Sequence, residues 1–244
     1  MNLKENYERF FGKIPEAENE KKTVLNESQK ARFTNLSHSM RLKYPNAPLT
    51  LKEGHVWMGT KKLEPVERIY MSHEDLEKME RDILNRRHIE RYGMVRQWCH
   101  GNVLDFACGC GYGANLVSKN PDVNKIYGVD IDASAIEWAN ENFTNSKTEF
   151  ICQDIREFYK EIDVLVCLET IEHIKDQRVI PDLAERLKIK SLFISFPSKK
   201  TTHYNKFHFY DYSTEEICDL FKNYTLNDEI DLHREVKILN FIRR

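Results

Sequence analysis

The chain has 244 residues, 41% of them hydrophobic, enough to bury a substantial core as one large α/β domain or one domain with an appendage. Its 37 basic and 39 acidic residues nearly cancel, leaving a net charge of −2 and no dense basic stripe, so charge gives no reason to expect a nucleic-acid partner. No apolar run approaches the roughly 20 residues of a membrane span, and the opening Met-Asn-Leu-Lys-Glu-Asn lacks a signal peptide's apolar stretch. A cytoplasmic protein without a membrane partner is expected, and its six cysteines then read as thiols.

Residues 1–70 are rich in charged and amide side chains, and no period persists across them. Short helices are expected at 3–11 and 26–42. Pro45 and Pro48 break the pattern, and Gly54 and Gly59 flank an isolated Val56-Trp57-Met58. The segment is read either as an extension packed on the main domain or as a lid over a pocket. Trp57 is the residue to watch in it, because so large an aromatic is seldom left bare. The domain proper is expected to run over 71–244.

A clearer helix begins at Ser72. Ser72-x-x-Asp75 resembles a capping box, with Leu76, Met79, Ile83 and Leu84 following at helical spacing. The pattern runs on through Ile89 and Tyr92 to Trp98, with a break expected at Gly93. From Asn102 strands and helices alternate, as a parallel sheet covered on both faces requires. Strands are predicted near 102–106, 125–130, 148–152, 163–168 and 191–196. Helices are predicted near 112–119, 133–141, 176–187 and 214–222. Two last strands, near 225–232 and 236–242, form an antiparallel hairpin. Cys152 and Cys167 fall in strand patterns as small core residues. Cys108 and Cys110 have no second Cys/His pair at zinc-site spacing, so no metal is expected there.

The most informative stretch is Val103-Leu-Asp105-Phe-Ala107-Cys-Gly109-Cys-Gly111-Tyr-Gly113. An apolar strand ends in a glycine-rich turn, where the backbone can approach a ligand that a Cβ would push away. The helix that follows points its amide end at whatever the loop holds. Nineteen positions after Gly111 a second apolar strand ends in Asp130, placed to accept both hydroxyls of an adenosine ribose. A nucleoside cofactor follows from this outline, and the turn alone leaves a nicotinamide dehydrogenase and a methyltransferase both open. The dinucleotide spacing G-x-G-x-x-G, with its pyrophosphate cradle, is absent.

Led by Asp105, the run Ala107-x-Gly109-x-Gly111 resembles the first motif of the class I S-adenosylmethionine-dependent methyltransferases, with Ala107 in place of the first glycine. Ala107 to Gly113 also matches the Ala-Cys-Gly-x-Gly-Tyr-Gly variant of members that act on sugars and other small metabolites. The resemblance covers roughly 85–242. It takes in His88-x-x-Arg91-Tyr92, the Phe150-Ile-Cys-Gln-Asp154-Ile155 strand end and Glu169-x-x-Glu172-His173. The fold it implies is Rossmann-like α/β: a seven-stranded, mostly parallel sheet with an antiparallel last strand, plus a helical N-terminal extension. The cofactor it implies is S-adenosylmethionine. Contacts to that cofactor are expected from Tyr92, Asp105, Ala107, Gly109, Gly111, Asp130, Ile131, Asp154, Ile155, Leu168 and Glu169.

Acceptor chemistry is expected after the fourth and fifth strands, since ligands in this fold sit outside the carboxyl ends of the strands. His173, His203 and His208 are the candidate catalytic residues, as proton acceptors or acceptor contacts. Lys199, Lys200 and Lys206 in the same loop suit a phosphate-bearing acceptor. A site made of His203, His208 and Asp211 lacks the acidic pattern of the metal-dependent catechol-type enzymes, so no metal is expected. The leading expectation is O-methylation of a small polar acceptor: a sugar, a nucleotide-linked or a phosphorylated metabolite of surface-polysaccharide biosynthesis. The alternatives are an RNA or protein methyltransferase, and a cofactor-binding subunit without catalysis. A homodimer is left open.

Overall fold

The computed structural model describes residues 2, 49–52, 55–58, 61–62, 70–73, 76 and 83–244. The chain divides into two compact units, with the boundary between Glu90 and Arg91. The helices expected at 3–11 and 26–42 lie outside the described residues, as does the expected run through Met79.

In the first unit, β1 (Leu49–Lys52), β2 (His55–Met58) and β3 (Lys61–Lys62) form an antiparallel sheet in that order. Leu49 stands opposite Met58, and Trp57 opposite both Thr50 and Lys62. A helical extension was expected, and these strands correct it for 49–62. The two-residue spacers between strands, each containing a glycine, were the available sign of consecutive hairpins.

Helix α1 (Ile83–Val95) carries His88, Arg91 and Tyr92 and runs into a 3-10 turn, Arg96–Trp98. The expected break at Gly93 does not occur. Glycine weakens a helix by only about 1 kcal/mol relative to alanine. Burial of Met94 and Val95 beyond it outweighs that cost.

The second unit is a seven-stranded sheet in the order β6-β5-β4-β7-β8-β10-β9. Its strands are β4 (Gly101–Phe106), β5 (Val123–Asp130), β6 (Thr148–Cys152), β7 (Val164–Cys167), β8 (Ser191–Pro197), β9 (Tyr224–Leu232) and β10 (Val236–Arg243). All neighbours from β6 to β8 pair parallel, while β10 runs antiparallel to both β8 and β9. Six strands therefore run one way and one is reversed, the mostly parallel Rossmann-like sheet expected from the sequence. Every residue of β7 is buried, as expected of a strand covered on both faces.

The helices are α2 (Tyr112–Ser118), α3 (Ala133–Phe143), α4 (Val179–Arg186) and α5 (Thr214–Leu220). Alternate residues of the central strands supply one hydrophobic cluster: Leu104 and Phe106, Leu165 and Cys167, Leu192, Ile194 and Phe196, Leu239 and Phe241. Ile180 and Leu183 of α4 and Ile217 of α5 close over it. Each such side chain contributes about 1.5–3 kcal/mol when fully buried. Cys152 departs from the expected core position: it ends β6 at the sheet edge and is exposed, whereas Cys167 is buried.

The chain leaves β4 to build β5 and β6 on one side, then returns to build β7 and β8 on the other. The carboxyl ends of β4 and β7 therefore flank the topological switch point, where ligands of open α/β sheets bind.

Candidate active site

The loop after β4 is wound tightly. Ala107, Gly109 and Gly111 all have positive φ, at 57°, 55° and 83°. The alanine is the strained member, since a left-handed conformation costs a residue with a Cβ about 1–2 kcal/mol. The loop is pinned to β5 by Cys108 N–H, which donates to the Val129 carbonyl, and by Gly109 N–H, which donates to Asp130 Oδ2 at 3.0 Å. Asp130 Oδ1 accepts from Asp132 N–H at 2.9 Å. Asp130 thus fastens the glycine loop to the end of β5. A Cβ built on Gly109 would meet nothing within 4 Å, so the loop faces open space there. Ile131, the next residue along from Asp130, is 74% exposed.

Asp105, near the carboxyl end of β4, is fully buried. The Tyr92 hydroxyl donates to its Oδ1 at 3.0 Å and the Ala114 backbone N–H also favours the charged carboxylate, while Oδ2 has no partner among the described residues within normal hydrogen-bond geometry. Burial pushes the Asp105 pKa up to about 7; the Tyr92 hydrogen bond opposes the shift and the nearby Asp130 charge adds to it. Burial likewise raises the Tyr92 phenol well above its ordinary value. The Tyr92 ring packs over Gly113, where a Cβ would sit 2.1 Å from it, and edge-on to Tyr112 at 5.4 Å.

Across the switch point, Glu169 follows β7 with φ 51°. Its Oε1 accepts from Ser195 Oγ at 2.8 Å, and its own N–H donates back to that oxygen at 2.8 Å. Its Oε2 lies 3.7 Å from Arg91. Arg91 is therefore a largely buried partner of Glu169. Ser195 was not anticipated, although a single hydroxyl within Leu192-Phe-Ile-Ser-Phe196 was its sign. Leu168 is buried beside it in sequence.

Asp154 and Ile155 sit differently from the residues around the glycine loop. Asp154 caps the 3-10 turn Ile155–Glu157 and turns its carboxylate onto the Arg156 guanidinium, whose hydrogen bonds lower its pKa to about 2. Ile155 belongs to the hydrophobic cluster.

Of the three histidines, two come together. The His173 and His208 rings are 4.4 Å apart and perpendicular. His173 Nδ1 is 3.1 Å from the Phe207 carbonyl, and Phe209 N–H donates to the Glu172 carbonyl at 2.8 Å. The loop after β8 is thereby stitched to the turn after β7. Asp211 braces that loop by accepting from Thr201 N–H and Thr202 N–H. Burial alone would raise the Asp211 pKa, but hydrogen bonds from Thr202 and Thr201 outweigh it and hold it at about 2. His203 is exposed and stacks edge-on with Tyr204 at 4.8 Å, away from the pair. Cys108 and Cys110 are buried free thiols.

Residues 103–189 match the family described as "Methyltransferase domain". Over 98 residues the chain is 36% identical to a ubiquinone biosynthesis O-methyltransferase of Rickettsia bellii, covering 38% of this chain and 40% of that one. Over 147 residues it is 27% identical to a probable S-adenosylmethionine-dependent methyltransferase of Mycobacterium tuberculosis, covering 55% and 52%. The matches thus span about half or less of these relatives' length. Among solved structures, the magnesium protoporphyrin IX methyltransferase of Synechocystis PCC 6803 with bound SAH superposes with a TM-score of 0.56 at 16% identity, covering 70% of this chain and 94% of that one. The N-methyltransferase NodS of Bradyrhizobium japonicum WM9 gives 0.53 at 15% identity, covering 69% and 98%. At such identities these neighbours speak to the fold alone. Residues 103–189 thus resemble a methyltransferase domain, and the sheet around them has the fold of the solved methyltransferases.

The described residues fit S-adenosylmethionine. Gly109 opens onto free space, the buried Asp105 Oδ2 lacks a donor within normal hydrogen-bond geometry, and Ile131 offers an exposed apolar face beside Asp130.

Proposed function

We propose that the chain transfers the methyl group of S-adenosylmethionine to an oxygen of a small polar acceptor. The observation that supports this reading is the glycine loop after β4, open at Gly109, with Asp105 buried near the end of β4 and Asp130 at the end of β5. In this reading Asp130 and Ile131 hold the nucleoside, and Asp105, supported by Tyr92, accepts from the ammonium of the methionine moiety. Glu169, held by Ser195 and Arg91, is proposed as a further cofactor contact from the end of β7. Leu168, Asp154 and Ile155 are carried as supporting contacts on the strength of the sequence resemblance.

The cofactor supplies an already activated methyl on a sulfonium, so the protein's work is geometry and management of the acceptor's proton. Holding the reacting groups in line is worth up to about 7–11 kcal/mol. The His173–His208 pair is the proposed site for the acceptor oxygen, and His203 is a secondary contact at the rim. Oxygen is favoured because the relatives from Rickettsia bellii and Acetivibrio thermocellus carry the names of O-methyltransferases. A sugar, nucleotide-linked or phosphorylated acceptor of surface-polysaccharide assembly, handled in the cytoplasm, is proposed from the Ala107 to Gly113 variant and from Lys199, Lys200 and Lys206.

Calorimetry with S-adenosylhomocysteine tests the cofactor site. Asp130→Ala is expected to weaken binding by about 2 kcal/mol, because it removes a charged acceptor and frees the Gly109 N–H. Undiminished affinity in that variant would place the ribose elsewhere. A labelled-methyl assay over hydroxylated and phosphorylated metabolites then identifies the acceptor, and His173→Ala with intact turnover would remove the pair from the reaction.

A further inference from the structure

The geometry points to a divalent transition-metal site formed by Glu172, His173 and His208, at the carboxyl ends of β7 and β8. One ligating atom from each residue can be chosen so that all three lie within 4.8 Å of one another. Glu172 and His173 come from the turn after β7 and His208 from the loop after β8, brought together over 35 residues of chain.

The hydrogen bonds fix which imidazole nitrogens carry lone pairs. A carbonyl can only accept, so His173 Nδ1, at 3.1 Å from the Phe207 carbonyl, bears the proton and Nε2 bears the lone pair. Thr201 Oγ1 donates to Asp211 Oδ1 and lies 2.6 Å from His208 Nδ1, so it accepts from that nitrogen. His208 too then turns a lone pair outward from Nε2. Metal-bound histidines almost always donate their other N–H to a carbonyl or, directly or through a relay, a carboxylate, and both supports are built here.

The third member sharpens the case. The Glu172 side chain is only 1% exposed, and its Oε1 lies 3.9 Å from His173 Nε2. A buried carboxylate so close to an imidazole nitrogen calls for positive charge between them, which a bound cation supplies as a proton would. Two imidazoles and a carboxylate suit the first-row divalent ions, zinc, cobalt, manganese or iron(II), more than magnesium or calcium. Three protein ligands also leave coordination positions for the acceptor. An acceptor hydroxyl bound there would lose its proton more readily, with solvent water taking it up, so the two histidines act through the ion and not as the proton's destination. This last step rests on the methyl-transfer reading; the metal site does not.

The test is titration of the EDTA-treated, dialysed full chain with cobalt(II), followed by visible absorption and calorimetry, with S-adenosylhomocysteine affinity measured in the same samples. One equivalent of cobalt per chain is expected, with ligand-field bands of an oxygen- and nitrogen-bound ion. His208→Ala and His173→Ala should each weaken cobalt at least about 100-fold and leave the S-adenosylhomocysteine affinity within about 2-fold. Thr201→Val, which removes only the supporting hydroxyl, should weaken cobalt about 10–100-fold. No saturable cobalt binding to the unaltered protein, or equal binding by all three variants, would overturn the site. If cobalt binds but S-adenosylhomocysteine does not, the metal site stands and the methyl-transfer reading falls; the reverse result separates them the other way.

Discussion

Asp105 is buried with a pKa raised to about 7, and that has a definite sign in solution. Its folded-state value exceeds the ordinary 3.8, so between about pH 4 and pH 7 the folded chain holds a proton that the unfolded chain has released. Its contribution to stability is complete below about pH 4 and is lost as pH rises through about 7. Thermal unfolding of the cofactor-free protein should therefore show a downward slope across that window, and Asp105→Asn should flatten it. A bound ammonium favours the ionised carboxylate, so S-adenosylhomocysteine affinity should strengthen from pH 5.5 to pH 7.5. An identical pH profile in Asp105→Asn would dissociate this carboxylate from the methionine end. Ala107 invites a second measurement at this scale. With φ at 57°, Ala107→Gly relieves left-handed strain of about 1–2 kcal/mol but adds unfolded-state entropy, so chemical denaturation should show a change from neutral to about 1 kcal/mol more stable. A loss of more than 1 kcal/mol would mean that the methyl group itself packs usefully.

Among the elements, α3 depends on its first turn. Asp132 accepts from Ser134 N–H at 2.9 Å and from Ala135 N–H at 3.4 Å, so Asp132→Ala should cost about 1 kcal/mol in denaturant titration, with no change in the slope. A cost near zero would show the helix held by packing alone. The elements from Asn102 onward were legible because apolar runs of strand length alternate with amphipathic segments, and Val164 to Cys167 or Leu192 to Phe196 admit few other readings. The tight glycine loop and the end of β5 at Asp130 were legible for a related reason: both follow from local backbone geometry. The capping box of α5, in which Ser213 and Glu216 satisfy each other, went unread in Ser-Thr-Glu-Glu although the helix itself was expected. What could not be read were the meetings of distant residues. Ser195 under Glu169, Arg91 beside it, and His173 against His208 depend on how β7 and β8 register, which no local pattern encodes. His203 and His208 look alike in sequence, yet only His208 is turned inward, because the Asp211 brace fixes the loop between them. At 49–62 short polar-rich strands carried too weak a period to stand out from loops.

For the molecule as a whole, the reversed strand is the unifying element of the seven-stranded sheet. β10 lies between β8 and β9, and Phe241 is buried beside Phe221 in the hydrophobic cluster. Phe241→Ala should destabilise the protein by about 3–5 kcal/mol, measured by denaturant unfolding, and lower thermal stability in parallel. A cost below 1 kcal/mol would mean that the hairpin adds little to the sheet. The placement also bears on how the protein is made. β8 is synthesised before the strand that covers it, and until the β9–β10 hairpin docks, its backbone donors and acceptors form an open edge flanked by Leu192, Ile194 and Phe196. An uncovered apolar edge is a template for the same strand of another molecule. Slow docking of this one hairpin is therefore where crowding during expression would divert the chain into aggregates, and variants that weaken β10 should fail first as insoluble protein.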